Sequence, residues 1–187
     1  MKRILIIHGW GNNGNQYWIP WLKKQLMMKG FDVVNPDFPN PMYPKLDAWT
    51  QRARESIPFF NDDVSIVAYS SGVVFTLQLL SSFKEGEKID KFVGIAPFDI
   101  SLSVGAEETK DLYKKPFSYP LICQKANSFS LICSDNDPYI PLSIPYAMQK
   151  KLNADLQIVK NGGLLNAKSG YIHPFEVLNR FTRAHSN

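Results

Sequence analysis

The run Val64-Ser65-Ile66-Val67-Ala68 has no polar face, and it passes through Tyr69-Ser70-Ser71-Gly72 straight into the helix-like Val73-Val74-Phe75-Thr76-Leu77-Gln78-Leu79-Leu80. A strand that is apolar on both sides belongs in a sheet covered on both sides. Runs of the same kind recur at Arg3 to Ile7, Phe31 to Val34, Lys91 to Ile95, Phe129 to Cys133 and Leu156 to Val159. Helical patterns fall between and after them, at Trp21 to Lys29, Leu46 to Ile57, Val73 to Phe83, Ile144 to Leu152 and Phe175 to Arg183. Repeated strand-helix units of this length predict a three-layer α/β/α arrangement around a doubly wound, six-stranded parallel sheet. In such sheets ligands meet the carboxyl ends of the strands.

The chain has 187 residues, which suits one domain over 1–187 that buries its core without metal or disulfide staples. The 21 Lys and Arg give a formal charge of +4 but are spread along the chain, so nothing marks a nucleic-acid footprint. Cys123 and Cys133 sit in apolar, strand-like contexts without CxxC spacing and are expected reduced, in the cytoplasm. Lys2-Arg3 followed by Ile4-Leu5-Ile6-Ile7 is stopped at once by His8-Gly9, too soon for a signal core or a membrane span. Ser101 to Ser128 lacks clear periodicity and is too short for a large lid domain, though it has the length of a flap.

Ser70 stands on the strand-to-helix corner. A nucleophile elbow turns so sharply that side chains two places either side of the nucleophile collide unless they are small, and Ala68 and Gly72 satisfy that demand. Shifting the frame to Ser71 would put Tyr69 and Val73 in the crowded places. The competing reading is a serine that merely caps a helix.

The first strand is followed by Gly9-Trp10-Gly11-Asn12-Asn13-Gly14, which fits the G-x-G-x-x-G dinucleotide pattern, with Asp32 or Asp37 near the end of the next strand. That pattern works only when the helix opens at the glycines and aims its positive end at the pyrophosphate. Trp18-Ile19-Pro20-Trp21 places a helix-opening proline well downstream, which argues against it. The turn reads better as half of an oxyanion hole, with the backbone N–H of Trp10 opposite that of Ser71. His8 is then a residue that holds the loop.

Ser134-Asp135-Asn136-Asp137-Pro138-Tyr139-Ile140-Pro141 follows the fifth strand, where hydrolases built on such a corner carry the triad acid before an apolar-Pro pair; by that spacing Ile140-Pro141 points to Asp137, and the competing reading is that all three polar residues merely turn the chain. Asp135 and Asn136 read as turn formers. A base must be a histidine, and the chain has His8, His173 and His185. His8 breaks the order Ser, Asp, His, and His185 lies almost at the end, which leaves His173 to take the Ser70 proton while Asp137 orients its ring. Trp10, Trp18, Tyr69, Phe98 and Tyr139 flank these turns, so several are expected to wall a pocket for short apolar acyl groups or small aromatic esters.

Ile6-Ile7-His8-Gly9, Tyr17 to Lys24 (YWIPWLKK), Phe38-Pro39-Asn40-Pro41 with Asp47-Ala48-Trp49, Val67 to Gly72, and Asp137 to Pro141 together resemble the small, cap-less serine hydrolases of the retinoblastoma-binding-protein type, within the α/β-hydrolase superfamily. The resemblance implies a six-stranded parallel sheet without a cap domain and a Ser-Asp-His triad using Ser70 and Asp137. It also implies esterase-like or peptidase-like activity on a small ester, amide or peptide, with no metal or organic cofactor. Two positions depart from the pattern. Tyr69 stands where the family commonly has His, and Gly162-Gly163 is followed by Leu164 where the catalytic histidine usually comes. The alternative is therefore a binding protein that kept the fold and lost its base. Leu131-Ile132-Cys133-Ser134-Asp135 echoes an LxCxE string but lacks its Glu and spans a strand.

Overall fold

In the computed structural model, which describes residues 1–182, all six strands pair in parallel in the order β2-β1-β3-β4-β5-β6. They are β1 Arg3–Ile7, β2 Asp32–Val34, β3 Val64–Tyr69, β4 Ile89–Ile95, β5 Ala126–Ser134 and β6 Asp155–Val159. The helices are α1 Ile19–Met28, α2 Leu46–Ser56, α3 Ser71–Ser81, α4 Ala106–Thr109, α5 Tyr119–Ile122, α6 Ser143–Leu152 and α7 Phe175–Thr182. The expected three-layer, doubly wound α/β architecture is present. His185 lies outside the described residues.

Each longer helix turns one stripe inward. Ile19, Leu22 and Leu26 of α1, Leu46, Trp49 and Ala53 of α2, and Pro145, Met148 and Leu152 of α6 are buried at i, i+3, i+7 spacing. Helix α1 opens with Pro20 in its first turn, where a missing N–H costs nothing. Helix α3 differs because all residues from Ser71 to Leu80 are buried. It is packed by α2, by α5 and by the short 3-10 turn Lys110–Tyr113. The one amide buried within it, Gln78, donates to the carbonyls of Leu112 and Lys115 and so ties the 101–128 segment to the core.

Helix α3 begins at Ser71, two residues before the apolar pattern predicts, because the chain leaves β3 and enters the helix with Ser70 alone between them. Gly72 makes this possible. A Cβ there would lie 2.7 Å from the His8 carbonyl oxygen and 2.9 Å from that of Ile7, so the helix rests directly on the backbone of β1. The sheet order reverses at β1. The chain runs outward to β2, returns past β1 to β3, and then continues to β6. That switch point sets the carboxyl ends of β1 and β3 side by side, with Ile7 in register with Ala68, and opens a crevice above them.

Candidate active site

The left-handed turn at Ser70, with φ 55° and ψ −123°, is held by its N–H donating to the Ile95 carbonyl (2.9 Å) and its own carbonyl accepting from Val73 N (2.9 Å). A residue with a Cβ holds such a conformation at a cost of about 1–3 kcal/mol, and strain of this kind concentrates at functional positions. The corner fits because Gly9 lies against it, where a Cβ would come within 3.1 Å of Ser70 Cβ.

Ser70 opens into a cavity of about 240 Å³ at the switch point. Of the residues singled out in the sequence, Trp10, Tyr69, Ser71, Phe98, Asp137 and Tyr139 line it together with Ser70. Among the described residues the backbone N–H groups of Trp10 and Ser71 have no protein acceptor, and Ser71 is at the first position of α3, where helical N–H groups have no intrahelical partner. The Ser71 hydroxyl is buried and also unpartnered. Trp10 is anchored by its indole N–H on the Met42 carbonyl (2.8 Å) and covered by Gly105, where a Cβ would sit 3.2 Å from the ring.

Asp137 is half-buried on the loop after β5, and its Oδ1 accepts from the N–H groups of Tyr139 (2.8 Å) and Ile140 (3.0 Å). Burial pushes its carboxyl above the usual carboxylate range, partly opposed by those two bonds. Asp135 and Asn136 do more than turn the chain. Asp135 Oδ1 accepts from Asn161 N and Asn136 Oδ1 from Gly163 N, both at 2.7 Å, so the acid loop and the loop after β6 are fastened together.

That second loop carries Leu164 into the cavity wall. It is held from several sides. Tyr69 donates its hydroxyl to the Leu164 carbonyl (2.8 Å), Leu164 N donates to Ser169 Oγ (3.0 Å), and the Trp18 indole donates to the Leu165 carbonyl (3.0 Å). Trp18 is only 1% exposed and is not part of the wall; its ring packs edge-on behind Tyr69, so it supports the pocket instead of meeting a ligand.

His173 is not brought to Ser70. Its exposed ring packs against Trp21 at 5.0 Å between centroids and beside Phe175, its carbonyl accepts from Phe175 N at the start of α7, and it is not among the residues lining the cavity. Between Leu164 and His173, Asn166 caps the 3-10 turn Ala167–Ser169 and accepts from Tyr171 N, and Leu165 is fully buried. His8 is a loop-holding residue: Nδ1 faces the Gly9 carbonyl, Nε2 accepts from Phe38 N, and burial lowers its pKa.

Other wall residues carried little sequence signal. Leu102, Val104 and Thr109 come from the segment without periodicity, and Tyr17 reaches the cavity through a left-handed φ of 56°. The dinucleotide reading loses its supports. Helix α1 starts at Ile19, Gly14 N–H is taken by Asp37 Oδ1 (2.8 Å), and Asp32 is paired with Arg3 (2.5 Å). Among the described residues no group of three His, Cys, Asp or Glu is placed to hold a metal ion, and no helix is long and apolar enough to cross a membrane.

The architecture has known counterparts. YdeN of Bacillus subtilis is 25% identical over 170 residues, covering 91% of this chain and 89% of the relative. The crystal structure of the B. subtilis ydeN gene product superposes with a TM-score of 0.91 at 24% identity over 97% of both chains. The esterase EaEST of Exiguobacterium antarcticum shares the fold, with a TM-score of 0.68 at 10% identity over 98% of this chain and 92% of that one. Residues 4–183 match the family described as Serine hydrolase. With a strained serine at the corner after β3 and a carboxylate after β5 at one crevice of an α/β-hydrolase fold, the chain belongs to the serine hydrolase family.

Proposed function

We propose that the protein is a base-deficient serine hydrolase, a site built for acyl transfer on small apolar or aromatic esters that turns over only slowly. In this reading Ser70 Oγ attacks the ester carbonyl, and the N–H groups of Trp10 and Ser71 hold the developing oxyanion. Asp137 stands where the acid of a triad would orient an imidazole. The observation that carries the reading is Leu164, which shares the cavity wall with Ser70 and Asp137 while His8 and His173 are engaged elsewhere. A leucine accepts no proton. Residual catalysis from the oxyanion donors and substrate binding would remain, since these alone supply about 10³–10⁴-fold over water in triad enzymes that lack a member.

The apolar wall of Phe98, Leu102, Val104 and Ile140 supports short acyl groups over long ones. The Tyr17–Lys24 and Phe38–Pro41 segments support the retinoblastoma-binding-protein type within the family. The two cysteines, Cys133 buried and Cys123 half-buried, are both free and support a reducing compartment, the cytoplasm.

The test is hydrolysis of 4-nitrophenyl acetate by the wild type, Ser70→Ala and His173→Ala. The expected result is slow turnover that disappears in Ser70→Ala and is unchanged in His173→Ala. A collapse of turnover in His173→Ala would show that His173 serves as the base and would overturn the reading.

A further inference from the structure

Among the described residues Asp137 is the one charged residue in the cavity wall, and no lysine, arginine or histidine lines it. Among the described residues its carboxylate has no ion-pair partner. Both of its protein hydrogen bonds come from main-chain N–H groups and fall on the same oxygen, Oδ1. Oδ2 has no protein hydrogen-bond donor among the described residues. A half-buried carboxylate in such a position gains from a cation that pairs with it without returning it to bulk water. Aromatic faces add to that attraction, and Trp10, Tyr17, Tyr69 and Tyr139 all line the space. An anionic ligand meets one negative charge and no positive one, so the wall discriminates against it.

We propose that this cavity binds small primary amines with an aromatic body, the ammonium group pairing with the Asp137 carboxylate and the ring packing among Trp10, Phe98 and Leu164. The inference rests on the reading above, that Leu164 leaves the acid without an imidazole partner, and it names the class of ester or amide the site would accept: one that carries an amine.

Binding of 2-phenylethylamine and of its neutral counterpart 2-phenylethanol, measured by isothermal titration calorimetry near pH 8, tests it on the wild type, Asp137→Asn and Leu164→His. The amine is expected to bind the wild type at least about tenfold more tightly than the alcohol. Asp137→Asn, which keeps the Oδ1 acceptor, is expected to remove that preference and leave the alcohol unchanged. Leu164→His is expected to weaken it, because an imidazole there competes for the carboxylate. Equal affinities in the wild type, no measurable binding of the amine, or a preference that survives Asp137→Asn would overturn the proposal. Ester turnover of Leu164→His, measured in parallel, separates the two ideas. A gain in turnover without amine preference overturns only the amine site, whereas amine preference without a gain in turnover overturns only the base-deficient reading.

Discussion

Tyr69 donates its phenolic hydrogen to the backbone carbonyl of Leu164 at 2.8 Å, joining the residue before Ser70 to one that lines the same cavity from the loop after β6. The sequence separation is 95 residues, and the bond is shielded, with Tyr69 6% exposed. Burial raises the phenol above its ordinary pKa, which favours the protonated, donating form. The corner and the loop after β6 therefore keep a fixed relation.

Tyr69→Phe is expected to destabilise the fold by about 1–2 kcal/mol, since it leaves a shielded carbonyl short of a donor. Urea denaturation checks the magnitude. In a Leu164→His background the same change is expected to lower the ester turnover gained, because the imidazole's loop loses its tether.

Gly72→Ala is expected to be worse. The new methyl would meet two backbone carbonyl oxygens, of His8 and Ile7, at 2.7 Å and 2.9 Å, and backbone has little room to move. Overpacking of this kind costs about 1–3 kcal/mol, read as a lowered denaturation midpoint.

The parallel sheet was legible because its inner strands β1 and β3 are apolar on both faces, whereas the edge strand β6, with Asp155 and Ile158 exposed, is not buried as its aliphatic run suggests; the corner was legible because Ala68 and Gly72 flank Ser70 with nothing to collide. Element ends were less so. Val73 opens the visible apolar pattern, while the helix itself opens at Ser71, a boundary set by contact with β1 that leaves no periodic mark. The pocket wall at Leu102, Val104 and Thr109 depends on how a segment without periodicity lies over Trp10. Tyr17 arrives through a backbone conformation that its residue type does not announce. Asp135 and Asn136 read as turn formers because their distant partners, Asn161 and Gly163, are invisible in the local string. His173 was nominated by elimination, and its packing on Trp21 and Phe175 depends on partners that elimination does not consult.

Ser70→Gly is expected to stabilise the fold by about 1 kcal/mol while abolishing acyl transfer, because glycine relieves the strain at φ 55°. Ser70→Ala keeps the Cβ and is expected to give no such gain. Thermal or urea denaturation of the two variants side by side provides the comparison.

Asp137 is expected to oppose stability at neutral pH. Its folded-state pKa lies above the unfolded value, chiefly through burial, so the unfolded chain ionises more readily. The penalty is present in full above the folded pKa and disappears below the unfolded one. Asp137→Asn is therefore expected to be more stable than the wild type at pH 7, with the gap closing as the pH falls through the carboxylate range. Denaturation midpoints of both proteins from about pH 7 down through the ordinary carboxylate range check the sign.

In the proposed reading Leu164 holds back a site otherwise built for acyl transfer. The most direct measurement is kcat/KM for 4-nitrophenyl acetate in Leu164→His, with Leu164→His/Ser70→Ala as the control. A general base is worth about 10²–10⁴-fold, so a gain of at least about a hundredfold over the wild type is expected, lost again when Ser70 is removed. A Leu164→His variant no faster than the wild type, or a gain that persists without Ser70, would contradict it.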